Sequence, residues 1–285
     1  MTDFLDEIIE ETEEQHPGRS LDDRFSKRVE LNVPGRNNTK LKKLIDIVNK
    51  DDDLYGLWLA ANVTAIERLG MTDHGPVHVK IVMNIAVKML RTMVGCGVTP
   101  SVVENYEMGT NDAEVVVALG ALFHDLGMSI HRRDHESYSL FVAQDKLKEI
   151  LPQLYGPREA TIIRCEVLHA IIAHRKGGQP LTLEAGIVRI ADALDMAKGR
   201  SRIPFEQGSD SIHSVSAAAI DRVIIEKGVD KAVCITVVMT NSAGIFQLDQ
   251  LFRGKLKGSG LEPYLELRAL LAGDQEETLF KEFRI

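Results

Sequence analysis

Apolar positions along the chain fall into helical periods from Thr39 onward. Leu41, Leu44, Ile45 and Val48 recur at i, i+3, i+4 and i+7, and a second apolar segment runs from Leu54 to Leu69 before Gly70 stops it, so a helix pair is predicted. Pro76 suits a first helical position, and the stripe His78, Val82, Ile85, Met89 that follows turns His78 inward. Asp112 is read as the cap of a helix from Ala113 to Leu126, with Gly127 placed to end it. Further helices are predicted from Glu136 to about Leu154, from Pro157 to His174 and from Leu183 to about Lys198. Short polar joints separate them, which predicts an all-helical unit over residues 39–206.

Both flanks read differently. Residues 1–38 predict an acidic helix and then a polar segment punctuated by Pro-Gly pairs. After Pro204 the β-branched runs DRVIIEKG and KAVCITVVMT predict strands, GIFQLDQLFRGKL and EPYLELRALLA predict helices, and ETLFKEF is a candidate final strand. Residues 207–285 are therefore expected to form a smaller α+β unit, and the fold class is mostly α.

Composition narrows the function classes. Over 285 residues, 34 Lys and Arg against 42 Asp and Glu leave a formal net charge of −8, without the basic footprint of a nucleic-acid coat protein. The first fifteen residues hold seven acids and no Lys or Arg, so that imbalance belongs almost wholly to one end, and the rest of the chain is nearly neutral. An anionic substrate therefore stays compatible with the helical unit. No apolar run reaches the roughly 18 to 20 residues of a membrane helix. The acidic start does not resemble a secretory signal, and Cys96, Cys165 and Cys234 lack CxxC spacing, so a cytoplasmic protein with reduced thiols is expected.

Seven of the nine histidines, His74, His78, His124, His131, His135, His169 and His174, fall within 101 residues. Imidazoles interspersed with Asp form the mixed nitrogen and oxygen donor set that a divalent cation needs. Taken singly these residues have plain readings: a buried histidine such as His78 is usually a satisfied core residue, His74 before Gly-Pro sits in a loop, and His131 beside Arg132 and Arg133 faces solvent. Their order along the chain is more specific. A helix HVKIVMNIA carries His78, the text ALFHDLGM carries His124 and Asp125 at the end of an apolar helix, and RIADALDMA carries Asp192.

This arrangement, His then His-Asp then Asp over residues of about 70 to 205, resembles the HD superfamily of metal-dependent phosphohydrolases. The resemblance implies that His78, His124, Asp125 and Asp192 ligate a divalent ion, suited to Mn, Fe, Co, Ni or Mg, and that water rather than a protein nucleophile attacks phosphorus. Some members hold a second ion bridged by the aspartate of the pair, for which His135, His169 and His174 are the candidates here. One or two metals per chain are therefore expected. Asp125 and His124 are the catalytic candidates together with Asp195, which follows Asp192 by three residues and could orient a ligand or water.

Arg133, Lys198 and Arg202, near the ends of segments that bear proposed ligands, are the candidates for binding the substrate's phosphate. The expected substrate is a nucleotide or another small phosphorylated molecule. A rival reading is a non-hydrolytic regulatory module that binds metal and a phosphorylated ligand as a signal, and a nucleic-acid partner is disfavoured by charge. The carboxyl-terminal unit is open to packing, homodimerisation or effector binding.

Overall fold

A computed structural model of the chain describes residues 28–34, 38–175, 177–196, 216, 218–246, 248, 252–271 and 282–284. The predicted acidic amino-terminal helix and two phosphate-binding candidates, Lys198 and Arg202, lie outside the described residues.

Helix α1 (Thr39–Val48) buries the four predicted positions Leu41, Leu44, Ile45 and Val48. Helix α2 (Asp52–Asn62) follows behind an Asp51 cap and runs into a π-helical turn, Val63–Arg68, that ends at Gly70 with φ of 60°. Helix α3 (Pro76–Gly95) begins at the predicted proline and buries His78, Val82, Ile85 and Met89. A short helix α4 (Ser101–Tyr106), absent from the sequence reading, is held by buried Glu184, whose carboxylate accepts the Ser101 and Val102 N–H groups.

Helix α5 (Thr110–Phe123) is buried all round from Ala113 to Phe123, with Glu114 paired to Arg91 at 2.8 Å and the rest apolar or Gly, as befits a helix at the centre of a bundle. It packs against α1, α3, α4, α7 (Pro157–Ala173) and α8 (Leu183–Leu194). Asp112 caps it from the third helical position rather than from the predicted cap position, because its carboxylate reaches back to the Gly109 N–H at 2.9 Å. The helix stops at Phe123, three residues short of the predicted end, so His124 and Asp125, expected at its carboxyl end, stand just past its last residue.

Two neighbours fix that exit. Trp58 of α2 donates its indole N–H to the Leu122 carbonyl at 2.9 Å, satisfying one of the orphan carbonyls of a helix end. Ser139 of α6 (His135–Ile150) donates its hydroxyl to the His124 carbonyl at 2.7 Å and accepts the Gly127 N–H at 2.8 Å. The 3-10 turn Leu126–Ser129 is thereby pinned beneath α6.

The carboxyl-terminal unit contains a four-stranded sheet in the order β1 (Ile220–Lys227), β2 (Val233–Met239), β3 (Leu265–Leu271), β4 (Glu282–Arg284). β2 pairs antiparallel with β1, with Ile224 opposite Thr236, and parallel with β3, with Val237 opposite Ala269. β1 and β2 pack on α3. The segment EPYLELRALLA, expected as a helix, supplies β3. Its leucines and alanine satisfy a two-residue period as well as a helical one, and pairing with fully buried β2 decides between them by burying Leu265, Leu267 and Ala269 on one face. Of the predicted helix over GIFQLDQLFRGKL, the described residues Ile245, Phe246, Leu248 and Phe252 are helical, a 3-10 turn Ser242–Gly244 precedes them, and Arg253–Leu256 form a short helix α9.

A side chain at Gly127 has no room: a Cβ there would stand 2.0 Å from the His135 carbonyl oxygen and 2.5 Å from the Ser139 nitrogen, both backbone atoms. Gly127→Ala is expected to destabilise the protein by about 3 kcal/mol through overpacking. Gly56→Ala, in the middle of α2 with open space around it, is expected to stabilise it by up to about 1 kcal/mol. Urea unfolding midpoints of the two variants check both signs.

Candidate metal centre

The segment before α3 is built by hydrogen bonds to polar side chains. Asp73 accepts the Gly75 and His78 N–H groups through Oδ1 at 3.0 and 3.2 Å, and Asn62 at the end of α2 bonds both the Asp73 carboxylate and the His74 N–H. His74 and His78 then enter the same buried space, with ring centroids 5.5 Å apart. The exit of α5 delivers His124 and Asp125, the first turn of α6 delivers His135, the end of α7 delivers His174, and the last turn of α8 delivers Asp192 and Asp195.

These residues converge on the Asp125 carboxylate. Its Oδ2 lies 3.4 Å from His78 Nε2, 3.2 Å from His124 Nε2 and 4.0 Å from His74 Nε2. Its Oδ1 lies 3.1 Å from His135 Nε2 and 3.7 Å from His174 Nε2. Asp192 Oδ1 joins the first group, 3.7 Å from His78 Nε2 and 3.6 Å from His124 Nε2. Among the described residues the compact donor groups are His78, His124 and Asp125; His124, His174 and Asp192; and Asp125, His135 and His174.

The other ring nitrogen of each histidine fixes its tautomer. Nδ1 of His124 meets the Ala121 carbonyl at 2.7 Å, that of His174 the Ile171 carbonyl at 2.6 Å, and that of His74 the Thr72 carbonyl at 2.7 Å. His78 Nδ1 meets the Asp195 carboxylate at 2.5 Å, and His135 Nδ1 lies 3.1 Å from the Arg132 carbonyl and 3.2 Å from Glu136 Oε2. Facing acceptors, the Nδ1 atoms of His74, His78, His124 and His174 are placed to donate, which turns Nε2 toward the carboxylate oxygens, whereas His135 Nδ1 also meets the Arg132 guanidinium at 3.1 Å. Lone pairs converging on a buried anion repel unless a cation stands between them, so this donor set fits a divalent metal.

A proton on His124 would meet the same need. Burial alone would lower the His124 imidazole, but the Asp125 and Asp192 carboxylates outweigh it and raise it from 6.5 to about 10. His174 is pushed well below 6.5 by burial and by the nearby His124 and Lys255 cations, so its ring is neutral. Asp125 and Asp192 are held well below the usual carboxylate range against the opposing effect of burial, Asp125 by His124 and Asp192 first by Lys255.

Other candidates lie elsewhere. His169 is turned away because five residues separate it from His174, about 140° around a helix. Its Nε2 accepts the Leu181 N–H at 2.9 Å. Asp195 ends α8 rather than sharing a helix face with Asp192, and orients His78. Arg133 stands in solvent, its side chain 88% exposed and 3.9 Å from Asp134. Two residues at the centre were not among the expected site residues: His74, read as a loop residue, and Lys255. His74 carried a hint in Asp-His-Gly before the proline, whereas Lys255, 3.2 Å from Asp192 Oδ2, sits in a basic stretch with nothing local to mark it.

A bundle whose central helix ends on His-Asp, with histidines and aspartates of four other helices gathered around that aspartate, defines an HD domain, and the HD domain family matches residues 77–197. The chain belongs to this superfamily of metal-dependent phosphohydrolases. It is 40% identical over 244 residues to an uncharacterized protein of Methanocaldococcus jannaschii, covering 86% of this chain and 93% of that one. It is also 30% identical over 144 residues to ribonuclease Y of Acidothermus cellulolyticus, covering 48% of this chain and 26% of that enzyme. No solved structure matches the chain. No helix among the described residues is long and apolar enough to cross a membrane.

Metal ligation requires neutral His124, so loading must expel its proton at any pH below about 10. Binding of Mn²⁺ to stripped protein is expected to release about one proton, with apparent affinity rising about tenfold per pH unit. Calorimetry in buffers of unequal ionisation enthalpy counts the proton, and an affinity that does not change with pH contradicts the assignment. His169→Ala is expected to leave metal stoichiometry unchanged.

Proposed function

We propose that this chain hydrolyses a phosphoester of a nucleotide or another small phosphorylated molecule at a centre for two divalent ions bridged by Asp125. The observation that carries the reading is the division of the Asp125 carboxylate, with Oδ2 toward His78 and His124 and Oδ1 toward His135 and His174. In this assignment His78, His124, Asp125 and Asp192 would hold one ion, and Asp125, His135 and His174 would hold the other. Divalent ions in such a set supply Lewis-acid polarisation of the phosphoryl group and an acidified water as nucleophile.

The chain's own residues supply rigidity and proton placement. Asp195 keeps the His78 proton on Nδ1, and the backbone carbonyls of Ala121 and Ile171 do the same for His124 and His174. Burial excludes bulk water from the ring nitrogens, while Asp192, with its side chain 16% exposed, marks the accessible side where a phosphate could enter. The three cysteines are free thiols, in keeping with a cytoplasmic location as part of the same proposal. Ribonuclease Y, by its name, acts on RNA, so phosphodiesters belong among the trial substrates beside monoesters.

Elemental analysis of protein reconstituted with Mn²⁺ is expected to give about two ions per chain, falling to about one in His135→Ala. Phosphomonoesters, phosphodiesters, nucleotides and a short RNA, each tested with Mn²⁺, Ni²⁺ and Mg²⁺, locate the activity. Asp125→Asn is expected to reduce turnover to background. Full turnover in folded Asp125→Asn overturns the proposal, and metal binding by the wild type without turnover on any phosphoester favours the regulatory reading.

A further inference from the structure

The crossover between the parallel strands β2 and β3 is docked on the helical unit at one specific place. Phe252 and Leu261 are fully buried, and Gly186 of α8 lies so close that a Cβ there would stand 2.5 Å from the Ser259 carbonyl oxygen. Buried Arg189 of α8 donates Nε–H to the Lys255 carbonyl at 2.8 Å, and its Nη1 bonds the carbonyls of Ala173, Arg175 and Gly178 around the end of α7. One guanidinium thus ties the helix that carries Asp192, the helix end that carries His174 and the crossover that carries Lys255.

The Lys255 side chain then turns back into the centre. Its ammonium donates to the His174 carbonyl at 2.6 Å and to Asp192 Oδ2 at 3.2 Å. The other Asp192 oxygen, Oδ1, is the one that faces His78 and His124. A carboxylate with one oxygen engaged by an ammonium presents the other in a fixed direction and cannot swing to chelate through both.

We propose that the carboxyl-terminal unit completes the metal centre by supplying Lys255 as a positioning residue, which orients Asp192 and the end of α7 so that Asp192 and His174 meet their ions in one geometry. The inference rests on the preceding reading only in taking Asp192 and His174 as ligands. The helical unit is then an incomplete centre by itself, and the small sheet serves to hold a cation against α8. Lys255 acts through Asp192 and takes no part in bond making.

The test uses the full chain, stripped of metal and titrated with Mn²⁺ by calorimetry. Lys255→Met removes the ammonium while the Arg189 bond to the main-chain carbonyl of residue 255 remains available, so the crossover stays docked. Its Mn²⁺ affinity is expected to fall about 10- to 100-fold, as for loss of a partner that orients a ligand. Lys255→Arg, which keeps a cation, is expected to lose less. In an Asp192→Asn background, Lys255→Met is expected to cost less than it does in the wild type, because only its contact with the His174 carbonyl remains to be lost.

Wild-type affinity in folded Lys255→Met, tighter binding by it, or additive losses in the double variant each overturn the inference. Should Lys255→Met not fold, Lys255→Gln carries the same test with a donor retained for the His174 carbonyl. Failure of the wild type to bind Mn²⁺ would instead overturn the preceding reading, so the two failures are distinguishable.

Discussion

The structure depends on a buried carboxylate facing imidazole lone pairs. Asp125 is nearly inaccessible, and His78, His124, His135 and His174 aim Nε2 at its two oxygens. Removing such charges from water costs several kcal/mol per ion unless compensating charge and hydrogen bonds are built around them. The Asp125 and Asp192 carboxylates raise the His124 imidazole against the opposing effect of burial, so a proton there would offset part of the cost. With metal, divalent ions would occupy the same need, which links protonation, ligation and stability at one point of the fold.

Helix ends meet this constraint economically. His124 and His174 each follow the last residue of a helix, and each folds its ring back so that Nδ1 bonds the carbonyl three residues earlier. Those carbonyls are among the groups a helix terminus leaves unpaired, so the same bond caps the helix and fixes the tautomer. Burial of α5 on all sides lets its end lie at depth. Trp58 and Ser139 then satisfy the Leu122 and His124 carbonyls at that exit.

The carboxyl-terminal sheet bears on the centre through its topology. Parallel pairing of β2 with β3 demands a long crossover, whereas a hairpin would have needed only a tight turn. That crossover carries Phe252, Lys255 and Leu261 to α8, where Arg189 and Gly186 receive it. A segment read from the sequence as a helix thus reaches Asp192 of the candidate centre.

The helices with clear periodicity, α1, α3 and α7, were legible because burial of one face writes a 3.6-residue repeat into the chain. His78, His124, Asp125 and Asp192 were legible from their order and local texts. The same reasoning read β3 as a helix, since a short apolar run satisfies two periods and only the β2 edge selects one. It also admitted His169, whose position on the far side of α7 from His174 depends on which helix face meets the core. The sequence by itself determined the donor chemistry and the helices that carry it, because composition and periodicity are local properties. Tertiary structure alone decided which imidazoles share Asp125, that His74 joins them, and that Lys255 arrives from more than sixty residues beyond Asp192, because convergence of distant side chains leaves no local trace in the chain.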